Sequence, residues 1–402
     1  MRQVPWWEET ELLKYAVMIR CRTSLFKRLA SAALFLIPAL ASVATLGAQT
    51  SGPSKASTLE QQGDFQAAER VWLEWIAANP NDAAAFASLG VVLARQEKYE
   101  QASDAYRKAL ALKPRLAGVR LNLGLAEFKR GHFKDAIPPL RAALADDPKN
   151  LQARTLLGLS YYGSGNFIGA VEHLEIASRD EPSNAEFHQL LAQSCLNAKK
   201  YSCALDEFKW LLQQNPDSAA THMLMGQALD GLARTREAIA EFEAAARADG
   251  KVPNVHFGLG YLYWKSHQYE EAAPEFEAEL AVDGGNAQAM AYLGDIELRN
   301  GNFEKALALL QKATRLNGNL RLAFVDVGVI LTEKKNYEDA LAALLHAEKL
   351  DPAQPDVHYR LGRLYQAMGK TAQAQKEMAR VKELHEKDEG DLARKMAAEK
   401  RD

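Results

Sequence analysis

Ten alanines recur at intervals of 34 residues with no insertion between them: Ala68, Ala102, Ala136, Ala170, Ala204, Ala238, Ala272, Ala306, Ala340 and Ala374. Twelve residues after each of the first nine stands a helix terminator in the same register: Pro80, Pro114, Pro148, Pro182, Pro216, Gly250, Gly284, Gly318 and Pro352. A period held this strictly belongs to an array in which each unit covers the hydrophobic face of the next. Length alone, 402 residues, suggests two or three domains. The uninterrupted period replaces that expectation with one solenoid whose stability accumulates between neighbours.

Inside the period the residues describe two short antiparallel helices. In the second unit, Ala83 to Leu116, the residues Phe86, Leu89, Gly90 and Leu93 form one apolar helical face. Glu97 and Lys98 make a polar turn, a second stripe runs through Tyr99, Ala102, Tyr106, Ala109 and Leu110, and Pro114 ends it. Gly90 and Ala102 are small where two backbones approach closely, and Tyr106 is large to fill the gap between hairpins. The small residue recurs as Gly124, Gly158, Ala192, Gly226, Gly260, Gly294, Gly328 and Gly362. The filler recurs as Trp72, Leu140, Leu174, Phe208, Phe242, Phe276, Leu310, Leu344 and Met378.

This alternation of large and small side chains over 34 residues resembles the tetratricopeptide repeat. The resemblance covers residues 49–388, which is ten repeats, and implies an all-α, right-handed superhelical solenoid. The first unit departs from the pattern: Gly52, Pro53 and Ala56 are out of order, and Trp75 stands where alanine is usual. That ring is expected to cover the open end, since terminal repeats are atypical. Pro138, Pro139 and Pro274 lie inside second helices, where each removes a backbone hydrogen bond. Residues 389–402 read as a charged tail, with a break at Gly390.

Residues 29–48 form the only long uncharged apolar stretch, preceded by Arg20, Arg22, Lys27 and Arg28 and closed by small residues. That is the layout of a secretory signal, so residues 1–48 read as a leader whose translation starts at Met18. The mature chain is expected to begin between Thr45 and Gln49. The rival reading is an uncleaved membrane anchor, because 20 residues can span a bilayer. Either way the preceding basic residues place the repeats outside the cytosol: periplasmic or secreted if cleaved, inner-membrane anchored if not. The net charge is −3, and the loss of six basic and three acidic side chains with residues 1–48 leaves −6. A mildly acidic chain without a basic stripe argues against nucleic acid and anionic lipid as partners.

Four of the nine histidines share one register position: His188, His222, His256 and His358. Adjacent first helices pack about 8–10 Å apart, so these residues cannot converge on one ion, and they read as packing. Cys195 and Cys203 lie on the two helices of one hairpin. In an exported chain they are either bridged or two free thiols, with Cys203 at a solvent-facing position and Cys195 turned inward. No phosphate loop, nucleophile elbow, metalloprotease motif or catalytic triad occurs, so neither an enzyme nor a cofactor is expected.

The family resemblance implies that the first helices line a concave groove into which repeat positions 5, 9 and 12 point. Counted from Ala83 in the second unit, those positions give Leu121, Leu125 and Phe128 in the third repeat. They give Thr155, Leu159 and Tyr162 in the fourth and the more polar Gln189, Gln193 and Leu196 in the fifth. Met223, Gln227 and Asp230 follow in the sixth, then Phe257, Tyr261 and Trp264 in the seventh. The last triplet is expected to expose an aromatic patch that receives an extended or helical segment of a partner protein. Family members that hold the acidic tail of a chaperone carry lysines and asparagines here, and only Arg363 resembles them. The expected function is an exported, non-enzymatic protein-binding scaffold that assists a bacterial envelope, secretion, pilus or exopolysaccharide complex. The alternative is a structural component that self-associates through its superhelix ends.

Overall fold

The computed structural model describes residues 52–399, and the side-chain surroundings of residues 52–387. The expected leader, residues 1–48 with Met18, lies outside the described residues. Those residues form twenty α-helices and no strand. In pairs these are α1 (Gly52–Gln61) and α2 (Phe65–Ala78), α3 (Ala83–Arg95) and α4 (Tyr99–Leu112), and α5 (Val119–Lys129) and α6 (Phe133–Asp146). Next come α7 (Leu151–Gly163) and α8 (Phe167–Asp180), then α9 (Ala185–Asn197) and α10 (Tyr201–Gln214). The series continues with α11 (Ala219–Gly231) and α12 (Thr235–Asp249), α13 (Val255–Lys265) and α14 (Tyr269–Val282), and α15 (Ala287–Arg299) and α16 (Phe303–Leu316). It ends with α17 (Arg321–Glu333) and α18 (Tyr337–Leu350), then α19 (Pro355–Ala367) and α20 (Thr371–Glu399). The chain divides into two compact units at Leu211–Leu212, inside α10. Within each unit, first helices pack on the second helix that follows and on the next first helix, the arrangement of a helical solenoid.

Nine of the ten register alanines, Ala68 through Ala340, have no exposed surface at all, and Ala374 is nearly buried. The small residue of the first helix faces the filler of the second. A Cβ built on Gly226 would stand 2.6 Å from the Phe242 ring, and one on Gly294 2.7 Å from Leu310. Phe242 also presses against Gly258 on the next first helix, so one ring wedges two consecutive hairpins. At the start of the array the Trp75 ring lies 2.8 Å from the Cβ position of Gly52, covering α1 as expected.

A second 34-residue series governs the turns. Each hairpin places one residue in the left-handed region: Gly63, Glu97, Gly131, Gly165, Lys199, Ala233, His267, Gly301, Lys335 and Gly369. This is the backbone geometry that ends a helix by satisfying its last carbonyls. Half of the positions carry a side chain there, at a local cost of roughly 1–3 kcal/mol each.

One local expectation changes. The last helix continues through Gly390, where the sequence suggested a break. A single interior glycine costs only about 1 kcal/mol against alanine, which its helix-forming neighbours offset. The second helices α6 and α14 run through Pro138, Pro139 and Pro274, which the sequence placed inside them. Among the described residues no helix is long and apolar enough to cross a membrane.

Candidate functional site

The expected groove residues divide by burial. Leu121, Tyr162 and Met223 are half-buried, with the Tyr162 hydroxyl donating to Gln193 Oε1 at 3.1 Å. Leu125, Phe128 and Leu159 are buried. Most plainly, Phe257 and Tyr261 are 0 % and 1 % exposed and Trp264 is 8 % exposed, so the expected aromatic patch is core instead. The cause is Tyr292 on α15. Its ring centroid lies 5.9 Å from that of Phe257, 5.6 Å from Tyr261 and 4.8 Å from Trp264. The next first helix therefore seals the stripe that its predecessor offers. Rings this large reach the neighbour, where small side chains would leave a gap.

The Trp264 indole N–H donates to Asp295 Oδ2 at 2.6 Å, and the same oxygen accepts from Arg299 Nε at 2.7 Å. Nearby, Lys265 Nζ pairs with the buried Asp230 at 2.8 Å. Asp326 on α17 belongs to the same polar seam. Burial pushes its carboxyl well above the usual carboxylate range, and the negative charge of Asp295 adds to the shift, while Arg299 and Arg360 oppose it. Its Oδ2 is buried without a hydrogen-bond partner.

In the last repeats the first-helix face is open. A cavity of about 280 Å³ is lined by Val329, Thr332 and Glu333 of α17, Lys335 of the turn, Tyr337 and Leu344 of α18, and Arg360, Arg363 and Ala367 of α19. Three cations against one carboxylate give this wall an excess of positive charge. Tyr359, Arg360 and Arg363 are exposed, because among the described residues no further first helix follows α19 to cover them. Arg360 and Arg363 sit three residues apart and so share one side of α19. Guanidinium groups recognise planar carboxylates through paired, charge-assisted hydrogen bonds. The sequence reading singled out Arg363 alone. The i, i+3 arginine pair was the available signal for Arg360, whereas Lys335 joins the cavity only through the left-handed turn.

The four register histidines are engaged one by one. Nδ1 of His188, His222, His256 and His358 meets Glu207, Glu241, Glu275 and Glu377 at 2.5, 2.6, 2.6 and 2.8 Å. Nε2 of His188, His222 and His358 meets the carbonyls of Pro182, Pro216 and Pro352. The first helix, the second helix and the loop before the repeat are thereby tied together, which a purely apolar residue at this position could not do. In the first unit Cys195 and Cys203 are bonded across the α9–α10 hairpin, with a Cα–Cα distance of 5.8 Å. Cys195 is fully buried and Cys203 half-buried, so the expected outward turn of Cys203 is only partial.

Comparison with known families places tetratricopeptide repeats along most of the chain. One repeat model matches residues 54–117, 223–265 and 257–320, a second 127–194, and two more match 328–369 and 356–387. Comparison with curated proteins finds no match. Solved structures similar to the chain include YrrB, a repeat protein with an unusual peptide-binding site, at 22% identity over 44% of this chain and 91% of that one, TM-score 0.38. MamA from Desulfovibrio magneticus RS-1 is 25% identical over 40% of this chain and 92% of its own, TM-score 0.37. Yeast Tom70 is 14% identical over 87% of this chain and 95% of its own, TM-score 0.38. The family models, the register alanines at the hairpin cores and the tandem helix pairs agree: the chain belongs to the tetratricopeptide repeat family, whose fold is typically a non-enzymatic scaffold for protein–protein interaction.

Proposed function

We propose that this protein is an exported scaffold that grips a carboxylate-bearing extended segment of a partner protein between α17 and α19, in the service of a bacterial envelope complex. The observation that carries the binding reading is the open, positively charged cavity at Arg360 and Arg363, in contrast to the Phe257–Tyr261–Trp264 stripe that Tyr292 seals. A carboxylate there replaces solvent around two guanidinium groups, each hydrogen bond to a charged group contributing about 1.5–3 kcal/mol. Apolar contact with Val329, Leu344 and Ala367 supplies the rest of the grip. The export reading is supported by the basic-then-apolar leader pattern and by the Cys195–Cys203 bond, which suits an oxidising compartment. The binding test uses the full chain and its Arg360→Ala/Arg363→Ala variant as baits for the same cell-envelope extract and for a synthetic peptide with an acidic C-terminus. At unchanged helicity the variant is expected to lose at least about tenfold in affinity for both. Equal capture by the two baits would place the partner elsewhere on the array.

A further inference from the structure

The four histidine seams are not equivalent. At His188, His222 and His256 the imidazole meets one carboxylate, so a proton on the ring suffices to balance the pair. At His358 the same Nδ1 faces two: Glu377 Oε2 at 2.8 Å and Glu348 Oε1 at 3.9 Å. Glu348 occupies the position that Ser178, Leu212 and Ala246 hold, ten residues before the other three histidines. Among the described residues neither carboxylate pairs with a lysine or an arginine. The fourth seam therefore keeps a surplus negative charge even around a protonated ring. It does so with His358 buried and the two glutamates only partly exposed, where uncompensated charge is costly.

The other ring nitrogen shows what balances it. His358 Nε2 lies 3.0 Å from the Pro352 carbonyl oxygen, which only accepts, so Nε2 carries a proton. A proton on Nδ1 would answer Glu377 at 2.8 Å, as at the other seams, but it leaves Glu348 at 3.9 Å without a counter-charge, and a divalent cation in place of that proton answers both carboxylates. A histidine whose outer N–H is held by a backbone carbonyl is oriented as metal-ligating imidazoles are. One donor atom from each of Glu348, His358 and Glu377 lies within 4.8 Å of the others. Zinc takes nitrogen and oxygen ligands at about 2.0–2.2 Å, and a small rotation of the partly exposed Glu348 brings the three into that range. We propose that Glu348, His358 and Glu377 form a zinc(II) site that joins α18, α19 and α20, with water as the fourth ligand. A dication against two carboxylates and a neutral imidazole leaves no net charge. Glu127 of α5, His132 of the turn and Asp135 of α6 form a similar triplet, but Arg107 and Arg130 already hold Glu127, at 2.5 and 3.0 Å. That triplet has no comparable need for a cation.

The test is calorimetric titration of zinc(II) into the metal-free full chain, with thermal melting in parallel. The native chain is expected to show a saturable site and a zinc-dependent rise in melting temperature. Glu348→Gln keeps the volume, leaves the His358–Glu377 pair and removes the surplus charge, so its zinc-free melting temperature should equal or exceed that of the native chain. Its zinc affinity should fall by at least about tenfold, since even partners outside the coordination sphere are worth that much. His222→Ala, at a seam with one carboxylate, should bind zinc as the native chain does. Undiminished zinc affinity in Glu348→Gln, loss of the site in His222→Ala, or no saturable binding by the native chain would each overturn the proposal.

Discussion

At the scale of single residues, Asp326 shows what the packing imposes. Its folded carboxyl is raised well above the ordinary range, by burial first and then by Asp295, with Arg299 and Arg360 opposing and Asp356 adding to the shift. A raised value means that the folded state favours the neutral acid. The stabilisation given by the neutral form is complete below the ordinary carboxylate pKa and is lost as pH rises through the raised value. At neutral pH Asp326→Asn is therefore expected to stabilise the chain by on the order of 1–3 kcal/mol. The gain should shrink as the medium is acidified towards the ordinary carboxylate range. Melting curves over a pH series measure this, and a destabilised variant at every pH would show that ion pairing with the arginines outweighs burial. Neither Asp326 nor the Phe257–Tyr261–Trp264 stripe could be judged from the chain. Repeat position names the side of the helix that a residue occupies. Whether that side meets water depends on the reach of a residue 31 positions after Tyr261, here Tyr292.

At the scale of elements, the α9–α10 hairpin is the informative case. The sequence allowed either a bridge or two free thiols, because helical faces alone place Cys203 outward. The crossing of the two helices brings the Cα atoms to 5.8 Å, within the range that a disulfide spans. Closing so short a loop is worth about 2–3 kcal/mol on the chain-entropy account. Protein taken from cells without reductant should thus resist alkylation at both Cys195 and Cys203, and reduction should lower its stability by about that amount. Two freely alkylated thiols would count against the bridge and against export together. The turns make the same point about elements. The polar turn after each first helix was legible, but the left-handed residue within it was hidden because Glu97, Lys199, Ala233, His267 and Lys335 do not advertise that conformation.

At the scale of the whole molecule, stability is a sum over neighbouring hairpins. Ala238 has no exposed surface, and its carbonyl oxygen would lie 3.2 Å from a Cβ on Gly226. Ala238→Leu should overpack that hairpin at a cost of about 1–3 kcal/mol. Because coupling passes only between neighbours, a weak link in mid-array should resolve one melting transition into two, as differential scanning calorimetry would show. A single unshifted transition would mean that the alanine register is not the packing register.

The sequence by itself determined the all-α class, the hairpin unit, the number of repeats and the small–large packing register. Each of these depends on residues close in the chain or on an exact period, and a local pattern repeated ten times leaves little room for another fold. Only the tertiary structure decided which parts of the first-helix face stay open. Exposure there is set by contacts between residues about one repeat apart, whose side chains fill or leave the space according to size. Tyr292 closes the face over Phe257, Tyr261 and Trp264, whereas among the described residues no further first helix covers Arg360 and Arg363 on α19. The surplus carboxylate at His358 was hidden for the same reason: Glu348, His358 and Glu377 lie on three different helices, and only their packing brings the three side chains to one point.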